Sequence, residues 1–220
     1  MCARAPSRRV AERRPPEPDD DSVPTLEIER EFEALGFRAI AGVDEAGRGP
    51  LAGPVVAAAV ILCEAPRLEG VRDSKLLAPE ERERLFPLII QQSAAVGVGV
   101  ASHRAIDRVN ILRATHLAMA RALARLRVPV DLALVDGADV IRGPVRTRAI
   151  VKGDRKSLSI AAASIVAKVT RDVLMTIQDR EHPGYGFAEH KGYATAEHRD
   201  AIRKLGPCAI HRISFRLLED

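Results

Sequence analysis

The 220-residue chain has no tryptophan, two tyrosines and five phenylalanines, so aromatics make up only 3% of it. Its core must therefore be filled by alanine, valine, leucine and isoleucine, and an apolar share of 46% suffices for one sizeable domain. Cysteines are as scarce: Cys2, Cys63 and Cys208 are odd in number and widely spaced. They exclude a disulfide framework and a cysteine zinc site, and they suit a reducing compartment. No apolar run is long enough to span a membrane, and the longest, Gly49 to Cys63, is interrupted by Pro50 and Pro54. The N-terminus carries arginines with no apolar stretch behind them, which argues against a secretory signal. A cytoplasmic enzyme without a membrane partner is the expectation. The charge balance, 34 basic against 30 acidic residues for a net +4, is compatible with a polyanionic partner without requiring one.

Residues 1–24 mix Arg4, Arg8, Arg9, Arg13 and Arg14 with prolines and the acidic run Asp19-Asp20-Asp21. Such a composition predicts a disordered tail, and residues 25–220 form one domain. The tail is the segment open to a replication partner. Leu26, Ile28, Phe32, Leu35 and Phe37 then predict a short amphipathic helix. Apolar runs at Ala39–Val43, Val55–Leu62, Ala94–Ala101, Leu132–Val135 and Ala149–Val151 predict five strands. A helix opening at Pro79 follows Ala78, a residue with no side chain to cap it. Helical spacing from Ile106 through Leu126 predicts one long helix, and Ile160 to Ile177 a second. The whole reads as an α/β protein with a five-stranded mixed sheet flanked by helices and a helical C-terminal part over residues 180–220.

The most informative stretch is Ala41-Gly42-Val43-Asp44-Glu45-Ala46-Gly47-Arg48-Gly49-Pro50. Two adjacent carboxylates end an apolar run and are followed by a basic glycine turn. The spacing of Gly47, Gly49 and Gly53 nearly matches a dinucleotide-binding fingerprint, but that fingerprint must open a helix. Here Pro50 and Pro54 flank the turn and a second strand follows, which predicts a hairpin instead.

Acids recur at two other strand ends, at Asp136 and, just past the fifth strand, at Asp154. If the first and fourth strands are neighbours, Asp44, Glu45 and Asp136 converge; otherwise these are unrelated surface acids. Two like charges about 4 Å apart repel by roughly 4 kcal/mol at an effective dielectric near 20, so a convergent cluster takes up protons or binds cations. An all-oxygen set favours Mg²⁺ or Mn²⁺, and two such ions would serve phosphodiester cleavage. His182, His190, His198 and His211 match no zinc spacing and point instead to capping or phosphate contact.

The string Gly42 to Val55, with Asp73-Ser74-Lys75-Leu76, Val135-Asp136-Gly137, Lys152-Gly153-Asp154, Ile160 to Val169, Arg171-Asp172, His182-Pro183, His190-Lys191-Gly192-Tyr193 and His211-Arg212, resembles ribonuclease HII. The likeness runs in order from Arg38 to Phe215 and leaves only the tail outside. Ala78, where that family usually has Ser or Thr, is the single departure. The resemblance implies an RNase H-like fold and cleavage of the RNA strand in RNA–DNA hybrids. It extends to nicking 5′ of a single ribonucleotide embedded in duplex DNA, leaving 3′-hydroxyl and 5′-phosphate ends, and hence to ribonucleotide excision repair and RNA primer removal. It implies that Asp44, Glu45 and Asp136 hold Mg²⁺ or Mn²⁺, two ions during catalysis, and that Asp154 completes the set as ligand or positioning group. It assigns Gly47, Arg48 and Gly49 to reading the ribose 2′-hydroxyl through backbone groups, and Tyr193 to packing on the neighbouring deoxyribose. Lys75, Lys152, Lys168, Lys191 and Arg212 are candidates for phosphate contacts or carboxylate partners, each weighed against a plain solvated charge.

Two other readings compete. Ribonuclease HIII shares the acids but carries a substantial N-terminal substrate-binding domain, which 37 mostly polar residues cannot form. A non-catalytic hybrid-binding protein would gain nothing from four intact acids that repel phosphate. A monomer is expected.

Overall fold

A computed structural model of the chain describes residues 23–139, 141 and 143–218. The tail expected over residues 1–24 therefore lies almost wholly outside the described residues.

The first helix, α1 (Glu27–Ala34), is followed by strands β1 (Ile40–Ala46) and β2 (Val55–Leu62). After a 3-10 turn at Ser74–Leu76 come α2 (Pro79–Gln91), β3 (Ser93–Ala101), α3 (His103–Val109) and α4 (Ile111–Ala124). Two short strands, β4 (Leu132–Asp136) and β5 (Arg146–Ile150), lead through a second 3-10 turn at Gly153–Arg155 into α5 (Leu158–Glu181). The chain closes with α6 (Phe187–His190) and α7 (Ala196–Leu205). The sheet has the order β3-β2-β1-β4-β5. β1 pairs antiparallel with β2, as the hairpin reading expected, and parallel with β4. β3 and β5 extend the sheet antiparallel and parallel respectively.

The scarcity of aromatics has a structural counterpart in a sheet faced with small residues. Ala41, Val43, Ala57, Ala59, Ala133 and Val135 point to the face covered by α4, while Ala58 and Val60 meet Ala162, Ile165 and Val166 of α5 and Leu85 and Ile89 of α2. Each large aliphatic side chain fully buried this way contributes about 1.5–3 kcal/mol. At Gly42 even alanine is too large: a Cβ there would lie 2.1 Å from the backbone carbon of Ser159. Only glycine lets the first turn of α5 lie against β1.

That first turn is itself tied to the N-terminal helix. Ser157 caps α5 by accepting from the Ile160 N–H at 3.2 Å. Buried Glu29 of α1 accepts from the Ser157 and Ser159 hydroxyls, both at 2.6 Å, and from the Ser159 N–H at 3.0 Å. At α2, Ala78 offers no side-chain cap, and only the Glu81 carboxylate returns to the Ala78 N–H, at 3.1 Å.

One expectation fails. The helix predicted from Ile106 to Leu126 is two helices, broken at Asn110 with φ +70°. Asparagine is among the side chains most often found at positive φ, and here its side chain accepts from the Arg113 N–H at 3.0 Å to start α4. Among the described residues no helix is long and apolar enough to cross a membrane.

Candidate active site

The parallel pairing of β1 with β4 sets Val43 opposite Val135, so Asp44 and Asp136 are the next residues on adjacent strands. Side chains alternate along a strand, and both acids fall on the α5 face, on the side of Gly42 and Leu134. Asp154, on the 3-10 turn after β5, joins them. Carboxylate oxygens of Asp44, Asp136 and Asp154 lie within 4.8 Å of one another.

Asp44 and Asp136 are held by donors from the main chain or a buried hydroxyl. The Glu45 N–H donates to Asp44 Oδ1 at 2.7 Å, and Ser164 of α5, whose Oγ lies 2.8 Å from that of Ser74, is a further partner of Asp44. Asp136 Oδ1 accepts from the Gly153 N–H at 2.7 Å. A cationic rim follows: Lys75 Nζ is 3.6 Å from Asp154 Oδ2 and 3.9 Å from Asp73 Oδ1, and Arg155 Nε is 3.5 Å from Asp73 Oδ2. Asp73, buried at the start of its 3-10 turn, is a residue whose part sequence reasoning missed; its place within the Asp73-Ser74-Lys75 string was the available signal.

The electrostatics are those of carboxylates crowded together and partly buried. Burial, then Glu45 and Asp136, raise the Asp44 pKa well above the ordinary carboxylate value. Burial, then Asp136 and Asp73, raise Asp154 to about 6. Lys75 is held above its ordinary value: burial opposes its charge, but Asp73, Asp44, Asp154 and Asp136 outweigh it. A buried all-carboxylate set that resists its own ionisation suits a hard divalent cation.

Glu45 stands outside the close group. As the residue after Asp44 it takes the opposite side of the strand, and its Oε1 accepts from Arg48 Nη1 at 3.3 Å. Burial raises its pKa against the opposing effect of Arg48, and Asp136 adds to the rise.

Beside the acids, the Gly47–Pro54 turn rests on two buried guanidinium groups. Arg212 is 0% exposed and donates to the carbonyls of Gly47 (2.6 Å), Arg48 (2.9 Å), Gly53 (3.0 Å) and Pro54 (3.3 Å). Arg171 donates to Pro54 O at 3.0 Å and Ala52 O at 3.3 Å. Burial and then Arg171 push Arg212 down to about 9, leaving it charged at neutral pH. Gly47, at φ +96°, lies so close that a Cβ would sit 2.0 Å from Arg171 Nε.

This placement corrects the expectation for Arg212, which is committed to the turn's carbonyls and has no outward-facing charge for phosphate. Lys191 is likewise engaged with the Ala188 carbonyl and with Thr176 Oγ1 at 3.3 Å. Lys168 pairs with Asp172 at 2.7 Å and lies 5.8 Å from the ring centre of Tyr193. Lys75 is a carboxylate partner at the acid cluster, and Lys152, half-buried at φ +54°, begins the turn that carries Asp154. Tyr193 is 42% exposed, and its Cε1 is 3.9 Å from where a Cβ on Gly49 would lie. Of the two roles expected of the late histidines, capping or phosphate contact, His198 and His211 are too buried, at 0% and 2% exposure, for the second, and both bind backbone groups, the Tyr193 carbonyl and the Cys208 N–H.

Residues 41–218 match the family model described as Ribonuclease HII. A protein named ribonuclease HII from Geobacter metallireducens is 61% identical over 181 residues, covering 82% of this chain and 85% of the relative. Among solved structures, ribonuclease H2 from Pyrococcus horikoshii superposes with a TM-score of 0.68 at 30% identity, covering 82% of this chain and 95% of its own. RNase HII of Archaeoglobus fulgidus, solved as a complex with PCNA, gives a TM-score of 0.70 at 29% identity over 83% of this chain and 98% of its own.

Proposed function

The chain belongs to the ribonuclease HII family, and from that premise we propose that it cuts the RNA strand of RNA–DNA hybrids and nicks DNA duplexes 5′ of a single embedded ribonucleotide. The observation that carries this is the meeting of Asp44, Asp136 and Asp154 within 4.8 Å, beside an exposed Tyr193 and a glycine turn. Asp44, Asp136 and Asp154 would hold the cation, Mg²⁺ or Mn²⁺, singly or as a pair. When bound, such ions polarise the phosphodiester and lower the pKa of water, for products ending in 3′-hydroxyl and 5′-phosphate.

The protein's own residues set up the rest. The N–H groups of Glu45 and Gly153 fix the Asp44 and Asp136 oxygens before any ion arrives. Glu45 is the fourth acid of the proposed set, held back by Arg48 and free to turn inward once that pair opens. Lys75 screens Asp154 from its neighbours and is exposed enough to meet an incoming phosphate.

The Gly47–Arg48–Gly49 backbone is proposed to read the 2′-hydroxyl, the one group that separates RNA from DNA at a site. Arg212 and Arg171 absorb the turn's carbonyls, which fixes its shape, and the missing Cβ atoms permit close approach. Tyr193 presents its ring next to Gly49 for the adjoining deoxyribose. Lys152 and Lys168 remain proposed phosphate contacts. A replication partner engaging the N-terminal tail, and action as a cytoplasmic monomer, belong to the same proposal.

A substrate panel tests the reading: an all-RNA strand paired with DNA, a DNA duplex with one ribonucleotide, and an all-DNA duplex, each with Mg²⁺, Mn²⁺ or EDTA. Divalent-dependent cutting of the first two and none of the third is expected. Cutting of the hybrid alone would favour a type HIII specificity, and tight binding without cutting a non-catalytic role.

A further inference from the structure

Beneath Tyr193 lies a stack of imidazoles that the proposed chemistry does not use. The ring centres of His190 and His198 are 4.4 Å apart and nearly parallel at 18°, His211 lies 5.2 Å from His198, and Phe187 abuts all three. His198 Nδ1 is 2.8 Å from the Tyr193 carbonyl, which can only accept, so Nδ1 carries the proton. The Cys208 N–H donates to His211 Nδ1 at 2.8 Å, so a neutral His211 carries its proton on Nε2. The longer 3.3 Å approach of the Cys208 carbonyl to the same nitrogen is then a packing contact. His211 Nε2 faces His198 Nε2 at 3.1 Å, where one must donate and the other accept, and the two assignments agree. His190 completes the pattern, with Nε2–H donating to the Tyr185 carbonyl at 2.7 Å and Nδ1 accepting from the Gly192 N–H at 3.1 Å. Burial keeps the first two rings neutral: it lowers His198 to about 4 and also lowers His211.

The stack joins the two halves of the proposed ribose reader. His198 holds the carbonyl of Tyr193 itself. His190 holds the N–H of Gly192, whose carbonyl accepts from the Leu51 N–H at 2.8 Å. His211 directly precedes Arg212, which grips the Gly47 and Arg48 carbonyls. We propose that His198 and His211 are positioning residues for ribonucleotide recognition, a neutral imidazole pair of opposite tautomers that holds Tyr193 in place against the Gly47–Gly49 turn. The inference rests on the functional reading above. An imidazole suits the task because it offers one donor and one acceptor at opposite ends of a rigid plane. A phenyl ring would fill the same space and hold nothing.

The test is a double-mutant cycle on a duplex with one ribonucleotide, reading kcat and KM with Mg²⁺, after circular dichroism and melting have established that each variant folds. His198→Phe keeps the ring packing and deletes both hydrogen bonds. Its kcat/KM is expected to fall about tenfold, through KM, as loss of a buried hydrogen bond predicts. His198→Asn, which keeps a donor near the Tyr193 carbonyl, is expected to recover most of that loss. In a Tyr193→Ala background His198→Phe is expected to change nothing further. Wild-type kinetics for His198→Phe, or an equal loss with and without the Tyr193 ring, overturns the proposal.

Should His198→Phe fail to fold, long-range ¹H–¹⁵N spectra of the wild type decide instead. They should show a protonated Nδ1 at His198 and a protonated Nε2 at His211 at neutral pH, and the reverse pattern or an imidazolium overturns the pair. A wild type that cuts no substrate sinks the functional reading, and this role with it, while the spectra still report independently on the tautomers.

Discussion

Asp154 gives the acid cluster a thermodynamic signature that substitution can expose. Burial, Asp136 and Asp73 hold its pKa at about 6 against an ordinary 3.8. The folded protein thus keeps a proton that the unfolded chain gives up, so stability falls as pH rises from about 4 to about 6 and is level above. A gap of about two pKa units corresponds to about 3 kcal/mol. The opposing pull of exposed Lys75, 3.6 Å away, is already contained in that figure, and solvent screening at the edge of the cluster reduces it to about 2 kcal/mol. Asp154→Asn removes the cost of ionisation and the ion pair together. In EDTA at pH 8 the variant should be more stable than the wild type by about 2 kcal/mol, or about 4–8 °C in Tm for a domain of this size. At pH 4 the difference should shrink to under about 1 kcal/mol. Mn²⁺ at about a hundred times its Kd should then stabilise the wild type by about 2.7 kcal/mol and the variant by clearly less. Urea denaturation at both pH values, in EDTA and in Mn²⁺, reads all of these. A variant less stable than the wild type in EDTA at pH 8, or one that gains as much from Mn²⁺, would refute the reasoning.

Asp136→Asn keeps an oxygen for the Gly153 N–H, so it should fold normally, yet lose divalent-dependent nicking on the order of a hundredfold or more; steady-state kinetics beside a melting curve separates the two effects. Gly47→Ala forces a Cβ to 2.0 Å from Arg171 Nε at a φ of +96° and should cost about 2 kcal/mol or more, together with a raised KM for the single-ribonucleotide duplex. Glu29→Ala removes the acceptor of three hydrogen bonds at the start of α5 and should cost about 3 kcal/mol with kcat unchanged, read by denaturation and by initial rates.

The first four strands were legible because they are runs of small apolar residues, while β5, Arg146–Ile150, shows only its last two apolar residues to a reader of the sequence. Strand order was not legible, since nothing local says that β4 lies beside β1, and the convergence of Asp44 with Asp136 depends on that pairing. Glu45 lies outside the close group of acids and pairs with Arg48, so a doublet of adjacent carboxylates in the sequence does not by itself say how many of them meet. Helical spacing runs unbroken across Asn110, so the helix break there was hidden in a single left-handed residue. Arg212 misled for another reason. A basic residue in a nucleic-acid enzyme suggests phosphate, but its partners are carbonyls more than a hundred and fifty residues earlier in the chain. The Glu29 clamp on α5 was equally invisible, because its partners are serines from a distant segment.

The central claim is that carboxylates from three separated segments share a divalent cation. An anomalous difference map recorded at the manganese edge from crystals grown with Mn²⁺ tests it most directly. The account predicts the strongest peak among the carboxylates of Asp44, Asp136 and Asp154; a map with no peak there, or with the ion held elsewhere on the chain, would contradict it.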